Sequence, residues 1–204
     1  MDSEPINFVL VGVGGQGTIL ASDVLAELGL KLGRDVKKAE VHGMSQRGGS
    51  VVSHLRWGQA VFSPIIPRGE ADVLIAFEKL EAARYIHWLR PGGIVLVNQA
   101  KIMPALTTSS AVYPDEPALR AILAHYSDHV NWVNGTEIAE RLGNSQTANV
   151  VMLGALSVLL DCELSTWMEV LRLRIPPKYM ELNRQAFEAG RAAMAEPICP
   201  TKVP

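Results

Sequence analysis

Residues 6–17 read INFVLVGVGGQG, an apolar run that leads directly into a turn rich in glycine. A continuous apolar run of this length predicts a strand that is buried on both faces. After the turn, residues 18–32 place apolar side chains at helical spacing, and Gly33 is a plausible stop. A buried strand, a glycine turn and a helix in this order are typical of the first unit of a parallel α/β sheet.

The remaining chain continues the alternation of strands and helices. Residues 36–41, 72–77, 94–97 and 130–133 are predicted strands, and the first of these is polar enough to lie near a sheet edge. Residues 50–56 and 59–62 resemble the two strands of a hairpin. The last third is predicted to be helical. We therefore expect a Rossmann-like, mostly parallel α/β sheet, with an antiparallel hairpin and a helical C-terminal third packed on it, in a single domain 1–204.

Gly12, Gly14 and Gly17 satisfy the pattern Gly-x-Gly-x-x-Gly in the context that it requires. Three interpretations remain open. The turn could hold a dinucleotide, but the candidate acid Glu40 comes 28 residues after Gly12, later than the usual ~20. The glycines could merely let the helix approach the strand. The turn could also meet a different phosphate ligand or a loop of a partner chain.

A second polar loop, residues 42–50, follows the next predicted strand. In a parallel sheet it would emerge beside the glycine turn, although a solvated loop is an equally plausible interpretation. The candidate residues for binding a cofactor are therefore Gly14, Gly15, Gln16, Gly17, His42, Ser45, Gln46 and Arg47. We expect Arg47 to meet an anion at this edge. Asn98, Gln99 and Lys101 follow a later strand and are weaker candidates.

Composition excludes several classes of protein. The chain has 204 residues and a formal net charge of -2. It therefore lacks the excess of basic residues that is typical of proteins that bind nucleic acids or anionic membranes. The longest apolar stretch is shorter than the ~20 residues that span a bilayer. The two cysteines, Cys162 and Cys199, are too few for an iron–sulfur cluster, which needs about four thiolates. We expect no disulfide, no metal site and a cytoplasmic location.

The glycine turn GVGGQG (12–17) combined with AEVHGMSQRGGSV (39–51) is more specific than either motif alone. Together they resemble the gamma domain of the 2-oxoacid:ferredoxin oxidoreductases. The resemblance continues through SPIIPRGEADVL (63–74) and LRPGG (89–93), and it covers the helical remainder loosely. Within that family, the chain looks most like the small subunit of the enzymes that act on indolepyruvate and related aryl-pyruvates.

The resemblance implies oxidative decarboxylation, in which a 2-oxoacid and coenzyme A give acyl-CoA and carbon dioxide while ferredoxin is reduced. It implies that thiamine diphosphate, Mg and Fe-S clusters are held by a larger partner subunit, and that this chain alone binds no cofactor and supplies no catalytic residue. Ferredoxin would be a partner of this chain only through the assembled complex. The alternatives are the gamma subunit of a pyruvate or branched-chain 2-ketoacid enzyme, and a stand-alone Rossmann nucleotide-binding protein.

One surface is also predicted from the sequence. Apolar residues crowd the predicted hairpin and the proline-bounded loop that follows it, where a solvated turn would favour polar ones: Trp57, Phe62, Ile65 and Ile66. We expect them to form an exposed apolar patch that contacts the partner subunit.

Overall fold

All the strands lie in the first two thirds of the described chain, and helices follow β1, β4, β5 and β6. The computed structural model describes residues 5–42, 49–103 and 113–194, with His42 described by its backbone alone. The strands are β1 (Ile6–Val13), β2 (Asp35–His42), β3 (Ser50–Gly58), β4 (Ala71–Ala76), β5 (Leu89–Asn98) and β6 (Val130–Val133). The helices are α1 (Thr18–Lys31), α2 (Lys79–Tyr85), α3 (Glu116–Tyr126), α4 (Gly135–Arg141), α5 (Ala148–Leu159), α6 (Leu164–Arg174) and α7 (Pro177–Ala192).

The six strands form one sheet in the order β2-β3-β1-β4-β5-β6. Neighbouring strands from β1 through β4 and β5 to β6 are parallel, and β3 runs antiparallel between β1 and β2. Because β3 reverses and β2 reverses again, β2 points in the same direction as β1. The expected α/β fold with a mostly parallel sheet and an antiparallel hairpin is confirmed, and so is the position of residues 36–41 at the sheet edge.

The predicted strands of the hairpin were partly wrong. β3 continues through Trp57 and Gly58, where a turn was expected, and its hairpin partner is β2. Residues 59–62 form no strand. The carboxylate of Asp35, at the start of β2, accepts a hydrogen bond from the backbone N–H of Val61 at 2.7 Å. This contact holds the segment beside the first residue of β2.

Helices cover both faces of the sheet. One apolar core joins β1 side chains such as Phe8 and Leu10 to α1, α4, α5, α6 and α7. The other core joins Val9 and Val11 to α2 and α3. The alternation of side chains along β1 divides its residues between the two cores. The helical C-terminal third therefore packs on one face of the sheet, as expected. No helix in the three described ranges is long and apolar enough to cross a membrane.

The helices α5 and α7 cross with their backbones in direct contact. A Cβ atom added to Gly154 would lie 2.0 Å from the carbonyl oxygen of Phe187. A Cβ atom added to Gly190 would lie 1.9 Å from the carbonyl oxygen of Val151. Each glycine therefore faces the backbone of the other helix, and the crossing depends on both of them.

Candidate functional site

A cavity of about 260 Å³ opens at the carboxyl edge of the sheet. It lies where β1, β4, β5 and β6 end, beside the start of α5, which is the usual position of a ligand site in an open α/β sheet. The residues that line it are Gly15, Gln16, Phe77, Asn98, Ala100, Lys101, Ile102, Thr136, Ser145, Gln146 and Ala148.

Two side-chain amides hold the strand ends together at this cavity. Gln16 accepts a hydrogen bond from the backbone N–H of Val13 at 2.8 Å and donates one to the carbonyl of Phe77 at 2.7 Å. Asn98 donates to the same Phe77 carbonyl at 3.1 Å and to the hydroxyl of Thr136 at 2.9 Å. These bonds fix the ends of β1, β4 and β5 relative to each other, so the base of the cavity is preformed.

The cavity favours negative charge. Among the described residues that line it, Lys101 carries the one charge, and none is a carboxylate. Ala148 lies at the start of α5, a helix of 12 residues with no acidic side chain in its first turn. The first N–H groups of a helix carry partial positive charge. The N–H groups of Ala148 and Val150 already bond to Ser145 and Asn149. An anionic group at the mouth of the cavity would therefore be attracted by Lys101 and by the dipole of α5 as a whole.

The residues of the glycine turn have different surroundings. Gly15 and Gln16 line the cavity. The N–H of Gly14 donates to the carbonyl of Gly49 at 2.8 Å, which joins the turn to the end of the second polar loop. Gly17 has a φ of 78°, and a Cβ atom there would lie 2.1 Å from the amide nitrogen of Asn149. Close packing with α5 accounts for the glycine at position 17.

The structure describes the two ends of the second loop. The backbone of His42 ends β2 opposite Val51. Ser45, Gln46 and Arg47 lie outside the described residues, so the expectation that Arg47 meets an anion stays a prediction.

The geometry does not favour the dinucleotide interpretation. The antiparallel strand β3 separates β2 from β1, so Glu40 lies two strands away from the glycine turn, about 10 Å across the sheet. Its carboxylate accepts a hydrogen bond from Lys38 Nζ at 2.7 Å.

Of the weaker candidates, Asn98 and Lys101 line the cavity, whereas Gln99 is not among the lining residues. The sequence interpretation missed Thr136, Ser145 and Gln146. Thr136 follows β6, and Asn98 is the last residue of β5. The rule that ligand sites lie at the carboxyl ends of parallel strands could therefore have identified Thr136 as well. Ser145 and Gln146 lie in a short turn before α5, and no strand marks their position.

Two buried carboxylates lie at the start of α2: Glu78 immediately precedes the helix, and Glu81 lies in its first turn. Glu78 and Glu81 are 1% and 2% exposed. Glu81 accepts hydrogen bonds from the hydroxyl of Ser50 and, at 2.7 Å, from the guanidinium of Arg84. Glu78 accepts one from the hydroxyl of Tyr113. Burial and the carboxylate of Glu78 raise the pKa of Tyr113 far above its ordinary value, so this phenol remains a hydrogen-bond donor.

The described residues contain no group of three or more His, Cys, Asp and Glu side chains that could hold a metal ion. Cys162 is a free, half-buried thiol whose pKa is raised by burial. Cys199 lies outside the described residues.

The predicted apolar patch is half correct. Trp57 and Ile66 are 3% and 0% exposed, so these two residues belong to the core. Trp57 packs on Phe8 with the ring centres 4.7 Å apart. By contrast, Phe62 is 97% exposed and Ile65 is 48% exposed. The exposed apolar surface is therefore smaller than expected and is centred on Phe62.

Comparison with known sequences identifies relatives that match this chain nearly end to end. The indolepyruvate oxidoreductase subunit IorB of Pyrococcus horikoshii is 40% identical over 194 residues, which cover 93% of this chain and 96% of the relative. The subunit of the same name from Thermococcus kodakarensis is 39% identical, with the same coverage of both chains.

Solved structures share the fold. The gamma subunit of a keto/oxoacid ferredoxin oxidoreductase from Geobacter sulfurreducens superposes with a TM-score of 0.67 at 24% identity, covering 92% of this chain and 97% of that one. The 2-oxoglutarate:ferredoxin oxidoreductase of Magnetococcus marinus superposes with a TM-score of 0.74 at 21% identity, covering 99% of this chain and 33% of the longer one. The sequence family described as pyruvate ferredoxin/flavodoxin oxidoreductase matches residues 7–193. This match covers nearly the whole chain, and the chain therefore belongs to that family.

Proposed function

We propose that this chain is the small subunit of an indolepyruvate (aryl-pyruvate):ferredoxin oxidoreductase. One observation carries the proposal: 39% and 40% identity to two indolepyruvate oxidoreductase subunits, over more than nine tenths of every chain compared. The complex would oxidatively decarboxylate the 2-oxoacid with coenzyme A, release carbon dioxide and acyl-CoA, and pass two electrons to ferredoxin.

The chemistry would be divided between subunits, with thiamine diphosphate, Mg and the Fe-S clusters in a larger partner. Two cysteines in the sequence are fewer than the roughly four that one cluster needs. The donor set around the cavity consists of amides, hydroxyls and one ammonium, which does not fit a divalent metal or a cluster. Thiamine diphosphate, when bound in the partner, would supply the carbanion-stabilising chemistry. A cytoplasmic location is part of the proposal.

The cavity is proposed to contribute to the site where coenzyme A is used. Lys101 and the start of α5 would attract a phosphate group, and the amides of Gln16 and Asn98 would keep the strand ends around it in place. The sequence adds His42, Ser45, Gln46 and Arg47 to this proposal, on the loop that ends at Gly49. The Magnetococcus enzyme, whose fold is similar, was solved with coenzyme A bound.

The test is reconstitution. The chain would be co-expressed with the product of an adjacent gene for a thiamine- and cluster-binding subunit, and indolepyruvate-dependent, CoA-dependent reduction of a viologen dye would be measured. We expect the complex to turn over and the isolated chain to be inactive. Pyruvate and 2-ketoisovalerate are tested as comparison substrates under the same conditions. Preference for either one would favour the alternative gamma-subunit assignment. Turnover by the chain alone, or failure to bind a thiamine-dependent subunit, would refute the proposal.

A further inference from the structure

Lys101 is held in place by the start of α2 through its two backbone neighbours. The carbonyl of Ala100 accepts a hydrogen bond from the N–H of Lys79 at 3.1 Å. The N–H of Ile102 donates to the carboxylate of Glu78 at 3.2 Å. Glu78 also caps α2, because its carboxylate accepts the N–H of Glu81 at 2.9 Å. The backbone on both sides of Lys101 is therefore tied to the start of α2, on the Ile102 side through the buried carboxylate of Glu78.

The side chain of Lys101 has a support of its own. Its ammonium lies 4.7 Å from the centre of the Tyr113 ring, within the range of a cation–π contact. The hydroxyl of Tyr113 donates to Glu78, the same carboxylate that holds Ile102. One buried carboxylate thus orients both the backbone beside Lys101 and the aromatic ring against which the ammonium rests. Lys101 itself is exposed, so without the ring its flexible side chain would have many rotamers available.

We propose that Tyr113, oriented by Glu78, is a positioning residue that holds the ammonium of Lys101 at the cavity for an anionic group of the ligand. The identity of that anion rests on the proposed function, but the positioning of the ammonium does not. A lysine that is already ordered loses less freedom when it binds an anion, so the ring increases affinity without touching the ligand.

The first experiment needs no ligand. Lysine side-chain NMR relaxation would be measured on the full chain, with the Lys101 signal assigned by its loss in Lys101→Met. Tyr113→Leu should increase the mobility of the Lys101 ammonium, and Tyr113→Phe, which keeps the ring but lacks the hydroxyl, should have a smaller effect. Tyr179→Leu is the matched control, because Lys178 Nζ lies 4.6 Å from the centre of the Tyr179 ring on α7. It should leave Lys101 unchanged.

The second experiment uses the reconstituted complex and calorimetric titration with coenzyme A. Lys101→Met should weaken binding about tenfold or more, and Tyr113→Leu should weaken it about three- to fivefold. In the Lys101→Met background Tyr113→Leu should have no further effect, and neither variant should alter the Michaelis constant for indolepyruvate. A merely structural role would give independent effects that multiply.

The outcomes separate the two proposals. If Tyr113→Leu leaves the mobility of Lys101 unchanged, or if its effect on coenzyme A persists fully without Lys101, the positioning role is wrong. If the mobility rises as expected but Lys101→Met binds coenzyme A normally, positioning is supported and the proposed role of the cavity in coenzyme A binding is wrong. Melting temperatures identify any variant that fails to fold, and Tyr113→Phe then provides the decisive comparison.

Discussion

At the scale of single residues, Gly17 illustrates how much of a nucleotide-binding pattern can be structural. The backbone at this position is left-handed, and the side chain of Asn149 fills the space that a Cβ atom would need. The pattern Gly-x-Gly-x-x-Gly therefore arises here partly from contact between α1 and α5. The sequence could not separate this cause from ligand binding, because Asn149 lies 132 residues away along the chain.

Gly17→Ala should strongly destabilise the chain. The positive φ alone costs an alanine about 1–2 kcal/mol, and the clash with Asn149 adds to it, so we expect a loss of about 3 kcal/mol in urea unfolding. Gly33→Ala is the matched control, since Gly33 has a φ of 73° and no atom within 4 Å of the added Cβ. It should lose only about 1–2 kcal/mol. Equal losses in the two variants would contradict the packing explanation.

His54 should make the stability of the chain depend on pH. Its side chain is 3% exposed, its Nδ1 accepts the N–H of Ile66 at 3.3 Å, and its ring meets Trp88 edge-on. Burial lowers the pKa of His54, because a charged imidazole would be poorly solvated there. Below about pH 6.5 the imidazole of His54 is therefore protonated in the unfolded chain while it remains neutral in the folded chain.

It follows that the contribution of His54 to the free energy of unfolding is fully present above about pH 6.5. This contribution falls on acidification, by at most about 1.4 kcal/mol per pH unit. His54→Gln should flatten the curve of unfolding free energy between about pH 7 and pH 5. Val52→Ala, a buried change on the same strand, should shift the curve without changing its slope. An unchanged slope in His54→Gln would show that this imidazole is not responsible.

At the scale of elements, the crossing of α5 and α7 leaves no room for a methyl group at either glycine. In an unpacked helix, replacing glycine by alanine is stabilising by roughly 0.5–1 kcal/mol. Gly154→Ala should instead destabilise the chain by about 3 kcal/mol or more, since the new methyl group meets the Phe187 carbonyl. Gly190→Ala should behave alike, and the double variant should lose less than the sum because one separation of the helices relieves both clashes. Thermal unfolding measures all three, and a stabilised Gly154→Ala would refute the close crossing.

Elements with strong local patterns were predictable, and strand pairing was not. The apolar run of β1 and the helical spacing of α1 specify those elements within a few residues. The hairpin was misassigned because pairing depends on partners that are distant along the chain. β3 pairs with both β1 and β2, and its pattern does not identify either partner. Likewise Lys101 could be placed at the sheet edge from the sequence, but its contact with Tyr113 could not.

At the scale of the whole molecule, Phe62 is the large apolar side chain most exposed to solvent among the residues that the structure describes. Phe62 is 97% exposed, so Phe62→Ser should change the unfolding free energy by no more than about 0.5 kcal/mol. If this residue contacts the larger subunit, the same variant should weaken the complex at least about fivefold, as expected for an aromatic contact worth about 1 kcal/mol. Gln59→Ala, also exposed in this loop, is the control. Unchanged affinity for the partner in Phe62→Ser would remove Phe62 from the interface.

The order of the strands also bears on how the chain avoids aggregation. Within the described residues the sheet ends at β2 on one side and at β6 on the other. Lysines on edge strands discourage edge-to-edge pairing, and so do very short edge strands. β2 carries Lys37 and Lys38, and β6 has only four residues. Both edge strands therefore resist the strand addition that seeds fibrils, a property that would protect the chain before it binds the proposed larger subunit.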